Sequence, residues 1–299
     1  MKRHPLHRKG ARLGQHFLTN PGIAANIAEA GRVRKGEVVL EVGPGKGILT
    51  DALLSKGARV VAIEKDTVMV SLLRTRFAQE IADGQLTLIE DDIRSFVQGP
   101  GLTHLVGLAE TRVSAMSKTR VFDKRRAYKV VANIPYYITG ELVRMFLTAK
   151  HQPTTIVFLV QKEVAERIVG NPEQRRGTRP KKESVLSLSV KAYGTPRYAG
   201  TVKAGSFSPP PSVDSAILAI EKISRKNFKT VSEESFFRVV KAGFAQKRKT
   251  LGGNLKKVFG ERALVALTAS GIAPTTRAEV VSLEGWLRLA REVSDSTVS

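Results

Sequence analysis

A glycine-rich turn set between an apolar strand and an amphipathic helix constrains this chain more than any other feature. Val38-Val39-Leu40-Glu41-Val42 reads as a strand, Gly43-Pro44-Gly45-Lys46-Gly47 as the turn, and Ile48 to Lys56 as a helix stopped at Gly57. Such a turn lets a ligand approach the backbone at a helix N-terminus. The alternation continues along the chain. Arg59–Glu64 is a second predicted strand with a helix over 66–82, and Leu86–Ile89 is a third. Lys129–Asn133 is a fourth, with a helix at 139–150, and Thr155–Val160 is a fifth, with a helix at 162–169. Near-continuous apolar strands between helices need cover on both faces, so the pattern predicts a Rossmann-like, doubly wound α/β sheet. Two more strands are expected at about 185–192 and 214–221, then helices at about 232–245, 246–259, 260–270 and 282–293. The expected organisation is an α/β domain over 1–224, with a basic insertion at about 97–128, and a small all-α domain over 225–299.

The charge points to the partner. Lys and Arg number 49 against 27 Asp and Glu, giving +22. Four windows hold +20 of it: 1–12 (+5), 112–129 (+6), 170–183 (+3) and 241–257 (+6). One such run is an ordinary solvated surface; four together suggest a nucleic-acid footprint. The absence of cysteine excludes disulfides, thiolate zinc sites and cysteine nucleophiles. No apolar run approaches the roughly 18 residues of a membrane helix. The basic, acid-free start lacks the apolar core of a secretory signal. A soluble, cytoplasmic, monomeric protein is expected.

The turn is not a dinucleotide fingerprint, because Ile48 stands where G-x-G-x-x-G needs its last glycine. Its G-x-G-x-G spacing after an acidic strand residue is that of S-adenosylmethionine-dependent methyltransferases. Glu64 ends the second strand, 21 residues beyond Gly43. An acid there can accept both hydroxyls of a ribose diol; the alternative is a surface acid paired with Lys65. Asp91-Asp92 end the third strand, where an acid can accept from an adenine amine or serve as a solvated turn.

Asn133-Ile134-Pro135-Tyr136 closes the fourth strand, at the edge where doubly wound folds place their chemistry. An adenine N6 amine is a poor nucleophile because its lone pair is delocalised into the ring. Acceptors for both amine hydrogens, the Asn133 side-chain oxygen and a backbone carbonyl held by Pro135, favour a pyramidal nitrogen with a free lone pair. Tyr136 offers a ring for the base to stack on. A plain turn is the alternative, since Asn and Pro are turn formers.

These motifs resemble those of the small-subunit ribosomal RNA adenine N6,N6-dimethyltransferases of the KsgA type. The resemblance covers nearly the whole chain, from Leu13-Gly14-Gln15-His16-Phe17-Leu18 through Glu41–Gly47, Glu64, Asp92 and Asn133–Tyr136. It continues through Gln161–Arg167 and Phe207–Ser215 to Phe244–Leu251. It implies a class I methyltransferase that uses S-adenosyl-L-methionine to dimethylate two adjacent adenines in a loop near the 3′ end of 16S-type RNA. A role in small-subunit biogenesis follows, with the small ribosomal subunit precursor as partner and no metal. Cofactor contacts are implied for His16, Leu18, Gly43, Glu64, Asp92 and Asn133. Chemistry is implied for Asn133, Pro135 and Tyr136, with Phe207 as the second ring of a base sandwich. His16 departs from the family's usual Asn, and the basic insertion is longer than its usual connection. The alternatives are a large-subunit adenine methyltransferase of the macrolide-resistance type, a non-catalytic ribosome-assembly factor, and an adenine DNA methyltransferase. The last typically carries Asp-Pro-Pro-Tyr where this chain has Asn133–Tyr136. Trp286 reads as core rather than as a base platform.

Overall fold

The computed structural model describes residues 16–110, 128–170 and 182–295. Its strands are β1 (Phe17–Leu18), β2 (Val38–Val42), β3 (Arg59–Glu64), β4 (Leu86–Glu90), β5 (Tyr128–Asn133), β6 (Thr155–Gln161), β7 (Thr195–Val202), β8 (Phe207–Ser208) and β9 (Ser215–Glu221). The first eight helices are α1 (Pro21–Ala30), α2 (Ile48–Ser55), α3 (Thr67–Arg76), α4 (Ala78–Ala82), α5 (Ile93–Gln98), α6 (Gly101–Glu110), α7 (Thr139–Thr148) and α8 (Lys162–Val169). The others are α9 (Val185–Tyr193), α10 (Glu233–Gly243), α11 (Leu251–Phe259), α12 (Arg262–Ala269) and α13 (Leu283–Asp295).

Seven strands form one sheet in the order β4-β3-β2-β5-β6-β9-β7. The pairings among β4, β3, β2, β5 and β6 are all parallel. Every residue of β2 is buried, as a strand covered on both faces requires. The expected doubly wound α/β fold is therefore present. A second ladder, which the sequence pattern does not reveal, pairs β1 antiparallel with β8, Leu18 opposite Phe207.

By internal contact the chain divides into two units, one of 1–162 with 199–217, the other of 163–198 with 218–299. In the first, the helix expected over 66–82 is split. Asp66 caps α3 by accepting from the Val68 and Met69 amides, and α3 ends at Phe77, which leaves helical geometry and is buried. The stretch expected as a basic insertion at about 97–128 holds α6 up to Glu110; 111–127 lie outside the described residues.

In the second unit, the strand expected at 185–192 is the helix α9. Val-Leu-Ser-Leu-Ser-Val alternates like a strand, but Ser184 and Ser187 form a reciprocal capping box that starts a helix. The serine at its third position is small enough to bury, so the apolar face faces the core despite the alternation. The helix expected from residue 246 begins only at Leu251. Thr250 caps it through the Gly253 amide, leaving 245–250 as a turn. Trp286 of α13 is fully buried and stacks on Phe244, with ring centroids 5.5 Å apart, so it is core as expected. Gly243 lies against it: a Cβ there would fall 2.4 Å from the Trp286 ring.

Candidate active site

One cavity of about 370 Å³ opens at the carboxyl ends of β2, β3 and β5, within the first unit. Its floor is the glycine turn. Gly43, Gly45 and Gly47 all have positive φ (66°, 57° and 82°), which L side chains adopt only with strain. Gly47 has a further reason to be glycine, since a Cβ would sit 2.5 Å from the Phe77 ring. Gly43 has the opposite surroundings. A Cβ there meets nothing within 4 Å, and the residue lines the cavity, so its bare backbone faces open ligand space.

Two buried carboxylates line that floor. Glu64, at the end of β3, accepts from the Gly45 amide at 3.2 Å through Oε2 and from the Lys65 and Asp66 amides at 2.9 and 3.0 Å through Oε1. The alternative of a surface acid paired with Lys65 does not fit a side chain this buried. The side chain of Glu41, one strand over, has a single hydrogen bond among the described residues, from Thr50 Oγ1 to Oε2 at 2.7 Å. Its Oε1 is buried with no partner among the described residues. Burial pushes the Glu41 carboxyl up to about 8; the Thr50 hydrogen bond opposes this, and the nearby Glu64 and Asp51 carboxylates add to it. The sequence signal for Glu41 was an acid inside an otherwise apolar strand, a position where burial without function is costly.

The wall opposite is the β5 edge. Asn133 Nδ2 donates to the His16 carbonyl at 3.1 Å, which leaves the acceptor Oδ1 for a ligand. Pro135 lacks an amide donor, and its own carbonyl accepts from the Ile138 amide at 3.2 Å. The carbonyl just before Pro135, that of Ile134, therefore belongs to a cavity-lining residue held extended by the proline. Tyr136 is half-buried, and its hydroxyl meets Ser215 Oγ at 2.6 Å. Burial raises the Tyr136 phenol above its ordinary range, with the Ser215 hydrogen bond working against the rise.

His16 ties the β5 edge to the segment after β8. Its ring stacks on Tyr136 at 5.8 Å, and its Nδ1 donates to the Pro209 carbonyl at 2.8 Å. A carbonyl can only accept, so Nδ1 carries the proton. Thr19 doubles the latch, donating to the Ser206 carbonyl from its amide at 2.9 Å and its hydroxyl at 3.0 Å.

The structure thus gathers His16, Leu18, Gly43 and Glu64 with Asn133, Pro135 and Tyr136 around one cavity. Two expected residues are placed otherwise. Asp92 does not line the cavity; it caps α5 by accepting from the Arg94 amide at 2.9 Å, while its neighbour Asp91 lines the wall. Phe207 is buried in the β1–β8 ladder, and the ring against Tyr136 is that of His16. The basic window 1–12, residues 112–127 of the window 112–129, residues 171–181 of the window 170–183 and the Leu13–Gln15 segment lie outside the described residues. Of the described basic residues, Lys129 is mostly buried and ion-paired with Glu37 at 2.6 Å, so it does not face a partner. Lys247, Arg248 and Lys249 are exposed on the turn before α11.

The chain matches the ribosomal RNA adenine dimethylase family over residues 6–295. It belongs to that family. A ribosomal RNA small subunit methyltransferase A from Dehalococcoides mccartyi is 36% identical over 288 residues, covering 95% of this chain and 88% of the relative. The crystal structure of a dimethyladenosine transferase from Plasmodium falciparum aligns with a TM-score of 0.64 at 25% identity, covering 92% of this chain and 96% of that one. The 23S rRNA methyltransferase ErmE, with a TM-score of 0.63 at 22% identity and 93% and 99% coverage, shares the fold. Membership makes the protein an enzyme, a ribosomal RNA adenine dimethyltransferase on a Rossmann-like sheet. Among the described residues no helix is long and apolar enough to cross a membrane, and no cluster could hold a metal.

Proposed function

We propose that this dimethyltransferase uses S-adenosyl-L-methionine to methylate N6 of two adjacent adenines in a loop near the 3′ end of small-subunit ribosomal RNA. The observation that carries the reading is a cavity bounded by the glycine turn on one side and Asn133–Tyr136 on the other. The donor set fits a cationic nucleoside. Gly43 leaves its backbone open, Glu64 keeps lone pairs for a ribose diol, and Glu41 has a buried oxygen without a partner among the described residues. Asp91, which lines the cavity, would meet an adenine amine directly. Asp92, expected in that role, would act by setting the turn at the end of β4.

When bound, S-adenosylmethionine supplies an electrophilic methyl group on a sulfonium. The residues of this chain prepare the acceptor. Asn133 Oδ1 and the Ile134 carbonyl accept the two N6 hydrogens, which localises the amine lone pair. The Tyr136 ring carries the base, extruded from its stack into the cavity. For Phe207 to form the far face of a base sandwich, the 206–209 segment has to shift, and the His16 and Thr19 latch sets how readily it does. The α/β part, 1–224, would hold this chemistry, and the helical part, 225–299, would present Lys247–Lys249 to RNA phosphates. Small-subunit biogenesis in the cytoplasm is the setting such a substrate implies, with the protein acting as a monomer.

The test gives purified protein and labelled S-adenosylmethionine to immature small subunits from a strain lacking the modification. Digestion should yield labelled N6,N6-dimethyladenosine from two adjacent positions of the small-subunit RNA. Label confined to large-subunit RNA would overturn the reading.

A further inference from the structure

Tyr137 is the residue at this site that the chemistry above leaves unused. It lines the cavity beside Tyr136, on the short turn that leads into α7, yet the residue is 71% exposed. Every other large aromatic among the described residues is less exposed than this. An isolated exposed apolar residue needs no explanation by itself. A rigid ring at the mouth of a cavity that receives an extruded base is a different matter, because extrusion leaves the neighbouring bases of the strand without a stacking partner.

The turn that carries Tyr137 is firmly held. Pro135 O accepts from the Ile138 amide, and Tyr136 is tied to Ser215. Arg94, another lining residue, makes a bidentate pair with Glu141 of α7 at 2.6 and 2.9 Å, bracing α5 against the helix that the turn starts. The ring is thus offered to solvent from a fixed backbone, at little ordering cost on contact.

We infer that Tyr137 is the stacking platform for the nucleotide flanking the target adenine, so that the two consecutive tyrosines hold two consecutive bases, Tyr136 inside the cavity and Tyr137 at its rim. This rests on the proposed adenine-methylating reading of the same cavity. Stacking on an aromatic is tolerant of base identity, so the platform accepts whichever base lies beside the target. It suits a substrate with two adjacent adenines: one occupies the rim while its neighbour is inside, and when the strand shifts by one nucleotide the next base takes the rim.

The experiment measures methyl transfer to immature small subunits by the full chain and by Tyr137→Trp, Tyr137→Phe, Tyr137→Leu and Tyr137→Ala. Wild-type transfer comes first: its absence would be a failure of the functional reading and not of this one. With transfer present, the inference predicts that Trp and Phe keep the wild-type KM for subunits, while Leu and Ala raise it about tenfold, the effect of losing one base–aromatic stack. Cofactor affinity, and kcat at saturating subunits, should stay at the wild-type level in all four. Thermal unfolding of the Ala variant guards against a folding defect, which an exposed side chain should not produce. An unchanged KM in the Ala variant, an equal rise in the Phe variant, or a loss confined to kcat would overturn the inference.

Discussion

The ends of β2 and β3 lie side by side in register, and each places a buried glutamate on the cavity floor, yet the two are treated in opposite ways. Glu64 is surrounded by donors: three backbone amides point at its two oxygens. Glu41 has one hydroxyl and an unpartnered oxygen, and its carboxyl is pushed up to about 8, chiefly by burial. The difference comes from the chain that follows each acid. After Glu64 the backbone turns at once, and the Lys65 and Asp66 amides fold back onto the carboxylate. Glu41 lies one residue inside its strand, so the following amides belong to the sheet and the turn, and among the described residues only Thr50 reaches it. One acid is organised before any ligand arrives; the other is left for the ligand to complete.

The largest effect that sharpens this contrast comes from the turn that both acids face. Gly47→Ala should lower stability by about 3 kcal/mol, combining left-handed strain with overpacking against Phe77. Denaturant unfolding checks this, and the loss should come with unchanged chemistry in whatever fraction remains folded. Next is Glu64→Gln, which turns an amide NH2 toward backbone donors and should cost roughly 1–3 kcal/mol of stability. Calorimetry should also show weaker cofactor binding. If stability and binding both stayed at the wild-type level, the three amide bonds would not matter as argued.

Glu41→Gln has the smallest effect at acid pH, and its signature is a pH dependence. A carboxyl raised in the folded state from 4.5 to about 8 keeps its proton longer than the unfolded chain does. The wild type should therefore lose stability as pH rises from about 4.5 to about 8, and be level above that. Glutamine cannot ionise, so the variant should match the wild type near the acid end and become the more stable of the two by pH 8. Parallel stability curves for the two proteins would contradict a neutral, buried Glu41.

The same contrast marks what the sequence makes legible. The five parallel strands, the glycine turn and the Asn133–Tyr136 edge can all be read from apolar runs and punctuation, because strands covered on both faces leave no other pattern. The helix α9 cannot, since Ser187 and Ser189 imitate strand alternation, while Ser187 in fact closes the capping box with Ser184 and is buried in the core. The ladder of β1 with β8 is two residues long and joins segments almost 190 residues apart, too short to leave a periodicity. Neither the division of labour between Asp91 and Asp92 nor that between Glu41 and Glu64 is visible in residue type. It depends on which backbone amides lie within reach, and only the fold decides that.

The most direct measurement compares wild type with Asn133→Ala on immature small subunits, reading single-turnover methyl transfer and subunit affinity in the same preparation. Removing one positioned acceptor at the reacting amine should lower transfer by about 10²–10³-fold while subunit affinity stays near wild type. If affinity collapsed together with transfer, Asn133 would be holding RNA and not preparing the amine, and the cavity's assigned chemistry would be wrong.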